Sequence, residues 1–254
     1  MHSHISNLID IHTHILPGLD DGPKSVQESI RLARCFERSG IKTIVATPHY
    51  LAGTAWAASR QKVLQRLQEL QRVLEYEHID LQVFSGMEIA YDKRLPDRLK
   101  SDSLLSLAGS GFYLIEPSFH GEQKGLLGCL HELLQDGFKL ILAHPERIEF
   151  FQHQPEVLKE LVNADLHIQV NIGSLIGHYG RECQACAEKL WYIDCLHYIA
   201  SDAHDHNRRR PGTNKDWLKL LSFPFGEKLL QSCIKNVNEL FTVREDKVSL
   251  RKIN

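Results

Sequence analysis

Leu8-Ile9-Asp10-Ile11-His12-Thr13-His14 decides how this 254-residue chain is read. Leu8 to Ile11 is a short, largely apolar segment with strand character, and it runs straight into two histidines one residue apart. Side chains of an extended segment alternate between its faces, so His12 and His14 fall on one side and can reach one cation. A helical pattern follows. Ser25 with Glu28 three residues later is a capping-box signature, and Gly40 supplies a stop. Lys42 to Ala46 is again apolar and β-branched. Strand, helix, strand in this spacing is the unit of a parallel sheet.

The same alternation continues outward. Further strands are expected at Leu81 to Phe84, Phe112 to Ile115, Lys139 to Ala143, His167 to Val170 and Leu196 to Ala200, seven in all. Helices are expected at Thr54 to Glu77, Gln123 to Asp136, Pro155 to Ala164 and Gly180 to Tyr192, with closing helices after Phe223. This is an α/β pattern, and either a barrel or an open sheet satisfies it. No linker or compositional break divides the chain. A single domain over 1–254 is expected, with residues 1–7 and 247–254 as tails.

Composition narrows the function classes. Hydrophobic residues make up 43% and charged residues 24%, ordinary for a globular chain with a sizeable core. The net charge is −2, and basic residues form no long run beyond Arg208-Arg209-Arg210, so neither nucleic acid nor an anionic membrane is indicated as a partner. No apolar stretch nears the roughly 18 residues of a membrane span, and the first residues lack a signal-peptide pattern. A cytoplasmic chain is expected. Six scattered cysteines do not form a secreted disulfide framework.

The 15 histidines stand out, because they recur at strand ends. The second strand runs into His49, the third into Glu88, and the fourth ends at Glu116. The fifth runs into His144, the sixth into Asn171, and the seventh into Asp202 and His204. In parallel α/β folds the carboxyl ends of the strands share one active-site face. With Asp21, that face gathers five imidazoles and four carboxylates, which need cations to neutralise them. The set exceeds what one ion takes. Two or three divalent transition metals are implied, and mixed imidazole and carboxylate donors without thiolate suit Mn, Fe or Zn better than Mg or Ca. His2-Ser3-His4 has no strand to fix it. Cys183-Gln184-Ala185-Cys186 lies within a helical stretch with no partner pair.

Asp10-Ile11-His12-Thr13-His14 through Asp20-Asp21-Gly22-Pro23, Thr47-Pro48-His49, Gly86-Met87-Glu88, Leu114-Ile115-Glu116, Ala143-His144-Pro145-Glu146-Arg147, Gln169-Val170-Asn171 and Ser201-Asp202-Ala203-His204 together resemble one family. They resemble the PHP (polymerase and histidinol phosphatase) metallophosphoesterases, and within them the capsule-operon protein-tyrosine phosphatases of the CpsB/CapC type. The resemblance spans about residues 8 to 212. It implies a distorted (β/α)7 TIM-like barrel with a trinuclear site. It further implies that His12, His14, Glu88 and Asp202 hold one metal. Glu88 would bridge to a second metal with Glu116 and His144, while Asp21, His49 and His204 would hold a third. Arg147 and one of Arg209 and Arg210 would bind phosphate; counting from Asp202 selects Arg209, and the Arg-Pro step selects Arg210.

The implied activity is hydrolysis of phosphotyrosine by a water activated at the metals, on the Tyr-rich tail of a bacterial tyrosine kinase that controls polysaccharide export. A phenolate leaves with an intrinsic pKa of about 10 and needs little help from a general acid. Asp205 and His206 are the nearby candidates for one. A thiol phosphatase pairs its cysteine with an arginine six residues on, and none of the six cysteines has one. A small-molecule phosphatase of histidinol-phosphate type and a non-catalytic metal-stabilised binding domain are the alternatives. Amidohydrolase barrels also open on His-x-His, but here Glu88 takes the place of their bridging carboxylated lysine.

Overall fold

The computed structural model describes residues 8–121, 123–162 and 165–251. Its strands are Ile9–Thr13 (β1), Thr43–Ala46 (β2), His49–Tyr50 (β3), Gln82–Ser85 (β4), Glu88–Ala90 (β5), Phe112–Glu116 (β6), Lys139–Ala143 (β7), Leu166–Asn171 (β8) and Tyr198–Ala200 (β9). Its α-helices are Val26–Ser39 (α1), Arg60–Tyr76 (α2), Leu95–Lys100 (α3), Lys124–Gln135 (α4), Glu149–His153 (α5), Ile172–Leu175 (α6), Arg181–Tyr192 (α7), Asn214–Leu221 (α8) and Gly226–Arg251 (α9).

All strand pairs are parallel and make two sheets, ordered β1-β2-β4 and β3-β5-β6-β7-β8-β9. Each of the seven expected strands is present. The two additional ones arise because the second and third strands are broken and carried on into the other sheet. Thr47-Pro48 separates β2 from β3, and proline has no N–H to continue a ladder. Gly86-Met87 separates β4 from β5. A Cβ at Gly86 would stand 2.9 Å from the Leu107 side chain and 3.0 Å from that of Val45, so any larger residue at this crowded bend would have to push them aside. The two breaks are tied together, since Glu88 N donates to Pro48 O.

The sheets also meet at the other end. Past β9, Asp202 N donates to His12 O and His14 N donates to Ala203 O, while Thr13 and Ala203 form a parallel bridge. An apolar cluster is shared between the sheets, joining Ile11, Val45, Leu114, Ile141 and Tyr198 from five strands. A larger one packs the helices on. Leu32 and Phe36 of α1, Leu67 and Leu70 of α2, Leu130 of α4 and Leu190 of α7 are buried in it.

Several local expectations shift. Ser25 caps α1 by accepting from Glu28 N, but the Glu28 carboxylate accepts from Lys24 N, so the box is only half made. The second helix begins at Arg60 rather than Thr54, because Ser59 caps it and residues 51–57 fold into their own turn. Pro155 to Leu158 is a single 3-10 turn, followed by further tight turning up to Val162. The helix α8 comes from an unread capping box, Thr213 with Asp216. Residues 247–251, expected as tail, continue α9. Residues 1–7, with His2 and His4, and residues 252–254 lie outside the described residues. Among the described residues no helix is long and apolar enough to cross a membrane.

Candidate metal centre

Nine side chains arrive at one place from the ends of six strand paths. His12 lies near the end of β1 and His14 follows it, with Asp21 on the loop to α1. His49 opens β3, Glu88 opens β5 and Glu116 closes β6, while His144 follows β7 and Asp202 and His204 follow β9. His49 and Glu88 owe their placement to the strand breaks, which put them in register with each other. His144 and Asp202 lie at positive φ, +33° and +55°. Such a backbone costs non-glycine residues about 1–3 kcal/mol, and it is found where side chains must be aimed.

Among the described residues three groups have ligand atoms within 4.8 Å of one another: His12, His14, Glu88 and Asp202; His14, Asp21, His49 and His204; and His49, Glu88 and Glu116. The first group is as expected, and the second adds His14 to the expected trio. In the third, His49 stands where His144 was expected. His144 Nε2 approaches Glu88 Oε1 at 2.9 Å but is 4.0 Å from Glu116.

The protonation pattern explains why these groups suit a cation. His12 Nδ1 lies 2.9 Å from Gln169 Oε1 and His14 Nδ1 lies 2.7 Å from Asp20 Oδ2, so both Nδ1 atoms are placed to donate outward and both Nε2 atoms are turned inward, free to offer a lone pair to a cation. Those two Nε2 atoms are 3.2 Å apart, and Glu88 Oε2 is 3.2 Å from each. Glu88 Oε2 is buried without a hydrogen-bond donor, as is His204 Nε2, whose ring partner Nδ1 faces Asp202 O. Ligand atoms aimed at one another this closely fit a resident divalent cation, which would take the place of protons there.

The electrostatics point the same way. Burial opposes charge throughout, yet Asp20, aided by Asp202 and Glu88, holds His14 well above its ordinary value, and Glu88 leads in raising His49 to about 10. Glu88 and Asp202 are buried too, but His12 leads in holding both well below the carboxylate range. His204 is depressed to about 4, by burial first and then by His14, whose ring stacks on it at 3.7 Å. Without cations, protons must occupy several of these imidazoles.

Around the nine lies a supporting layer. Asp20 orients His14 and also accepts from His49 N and Gly22 N. Gln169 donates to Asn171 Oδ1, and Asn171 donates to Asp202 Oδ2. The Asp20-Asp21 doublet and the Gln-x-Asn alternation of β8 were the available signals for these residues.

Arg147 Nη1 donates to Asp202 Oδ2 at 2.8 Å, and its guanidinium lies over the rings of Phe119 and Tyr179, 5.2 and 4.9 Å away. Arg209 reaches Asp21 and both oxygens of Asp202. Arg210 does not belong to the site. Its Nη1 donates to Asp216 and to Pro211 O, which turns it away to the start of α8. Asp205 accepts from the backbone of Asn207, Arg208 and Arg209, and so serves as a turn cap. Cys183 and Cys186 are buried in α7, Cys183 accepting from Gln152 and Cys186 donating to Phe151 O.

The chain matches the family described as capsular polysaccharide synthesis, CpsB/CapC, over residues 8–241. It is 34% identical over 233 residues to the tyrosine-protein phosphatase YwqE of Bacillus subtilis, covering 92% of this chain and 91% of that protein. It is 27% identical over 239 residues to the tyrosine-protein phosphatase CpsB of Streptococcus agalactiae, covering 92% and 98%. A solved structure from work on YwqE of B. subtilis and CpsB of Streptococcus pneumoniae, described as unique metal-dependent tyrosine phosphatases, superimposes with a TM-score of 0.86. It shares 33% identity and covers 93% of this chain and 95% of its own. A β-aspartyl dipeptidase of Fervidobacterium islandicum is alike in fold alone, with a TM-score of 0.52 and 14% identity over 92% of this chain and 72% of that one. With strand ends, ligand groups and full-length similarity in agreement, the chain belongs to the CpsB/CapC family.

Proposed function

We propose that this chain is a metal-dependent protein-tyrosine phosphatase. The observation that carries the reading is the convergence of nine imidazole and carboxylate side chains, several with ligand atoms facing each other at close range, beside two arginines on one rim. The names of its relatives support the same reading. The two sheets, joined through the breaks after β2 and β4 and through Thr13 and Ala203, are read as one distorted (β/α)7 barrel. Residues 1–254 are read as a single domain.

In this reading His12, His14, Glu88 and Asp202 hold one metal, Asp21, His49 and His204 another, and Glu88, Glu116 and His144 a third. Two to three divalent ions, manganese foremost on the donor chemistry, would supply Lewis acidity and an activated water when bound. The chain's own residues do the rest. Arg147 and Arg209 grip phosphoryl oxygens, where a planar guanidinium can donate two parallel bonds and offset charge in the transition state. Phe119 and Tyr179 keep the Arg147 plane in place. Asp20 and Gln169 keep the lone pairs of His14 and His12 directed inward.

The proposed substrate is a phosphotyrosine protein, a bacterial tyrosine kinase tail being the expected one. A cytoplasmic setting is proposed with it, supported by six cysteines that are all free thiols. The test is phosphate release from a phosphotyrosine peptide and from histidinol phosphate, each with added Mn and with chelator. Release from the peptide alone, abolished by chelator, is expected; preference for histidinol phosphate would overturn the assignment.

A further inference from the structure

Among the described residues seven large apolar side chains are more than a third exposed, and three of them, Leu51, Trp56 and Phe119, rim the same cleft. That cleft holds about 440 Å³ and has Asp21, His49, Glu116, Arg147 and Arg209 in its walls. Scattered apolar residues on a surface are ordinary, but three gathered around a charged floor are not. Trp56 lies nearly parallel to the His49 ring, 11° and 5.5 Å away, and Phe119 lies 5.9 Å from the His144 ring and 5.2 Å from the Arg147 guanidinium.

Both aromatic residues are carried by turns with their own hydrogen bonds. Leu51 N donates to Trp56 O, Thr54 N donates to Leu51 O, and Tyr50 pairs with Ala57 across the base of the turn. In the turn that carries Phe119, Ser118 Oγ donates to His120 O, and the buried Gln123 donates to Ser118 O and Gly121 O. The rim is thus set in place before a ligand arrives.

We infer that Trp56 and Phe119 form an aryl clamp, which selects phosphomonoesters whose leaving group is a planar ring. This rests on the phosphatase reading above and adds the residues that give it selectivity. A charged floor with aromatic walls matches a ligand with a dianionic head and a flat apolar body. An alkyl phosphate offers no ring to stack, so it gains only from the floor. Ring stacking at two walls makes a difference of about five- to tenfold in affinity for each wall.

The test compares benzylphosphonate with methylphosphonate, which share a headgroup and differ by the ring, by calorimetry on the Mn-loaded protein. The wild-type chain should bind benzylphosphonate at least about tenfold more tightly. Trp56→Ala and Phe119→Ala should each cut that preference several-fold, the double variant should abolish it, and Trp56→Phe should retain it. Methylphosphonate affinity should stay constant in the two Trp56 single variants; Phe119 also braces Arg147, so Phe119→Ala and the double variant are judged on the ratio of the two affinities. Equal binding of the two ligands by the wild type, an undiminished preference in the double variant, or a parallel loss for both ligands in Trp56→Ala would each overturn the clamp. Benzylphosphonate preference without phosphate release from phosphotyrosine would remove the phosphatase reading and leave the clamp standing, whereas release without preference would do the reverse.

Discussion

Arg209 lays one end of its guanidinium against both carboxylate oxygens of Asp202, at 3.1 and 3.0 Å, across the mouth of the metal centre. Asp202 is itself in the group with His12, His14 and Glu88, so the arginine is fastened to the centre without being a ligand in it. The neighbouring Arg210, identical in chemistry, faces Asp216 instead.

Replacing Arg209 with Ala should therefore lower kcat/KM toward phosphotyrosine by about ten- to a hundredfold, the loss expected for charge-assisted hydrogen bonds to a phosphoryl group. Metal content, read by elemental analysis, should not change. Arg210→Ala should keep its activity near wild type; a larger deficit for Arg210 than for Arg209 would reverse the assignment.

Gln169 acts on His12 from outside the ligand set. Gln169→Leu removes the acceptor that fixes the proton on Nδ1, and outer-shell losses of this kind weaken metal binding by about 10–100-fold. Titration of Mn into metal-free protein by calorimetry should show that drop with the fold retained by circular dichroism. Unaltered affinity would remove Gln169 from the supporting layer.

Metal removal should cost stability as well as activity. Ions that bind the folded chain and not the unfolded one stabilise it by about 2.7 kcal/mol when present at 100 times their dissociation constant. Chelation should lower Tm, and excess Mn should restore it in a concentration-dependent way. A melting curve unmoved by chelator would mean that the nine groups neutralise one another by protonation alone.

The start of α8 gives a pH test away from the metals. Burial alone would raise Asp216, but hydrogen bonds from Arg210 and Thr213 outweigh it and hold the carboxyl below its ordinary value. A depressed carboxylate contributes stability that is full above its unfolded pKa of about 3.9 and is lost as pH falls through the folded value. The stability difference between wild type and Asp216→Asn in urea should be present at neutral pH and shrink once the pH drops below about 4. A difference that grows on acidification would contradict the sign.

The parallel α/β pattern, the seven strand paths and the nine candidate ligands at their ends were legible along the chain. They could be read there because strand period, helix caps and the chemistry of strand ends are local, written within a few residues of one another. Tertiary structure alone decided the rest. Which of two adjacent arginines enters the site depends on Asp202 and Asp21 on one side and Asp216 on the other. That His49 and Glu88 open strands of a second sheet, in register with each other, depends on the pairing of β3 with β5 and on the bond from Glu88 N to Pro48 O. The tautomer of His12 depends on Gln169, 157 residues away. These are contacts between residues brought together by folding, and no periodicity along the chain records them.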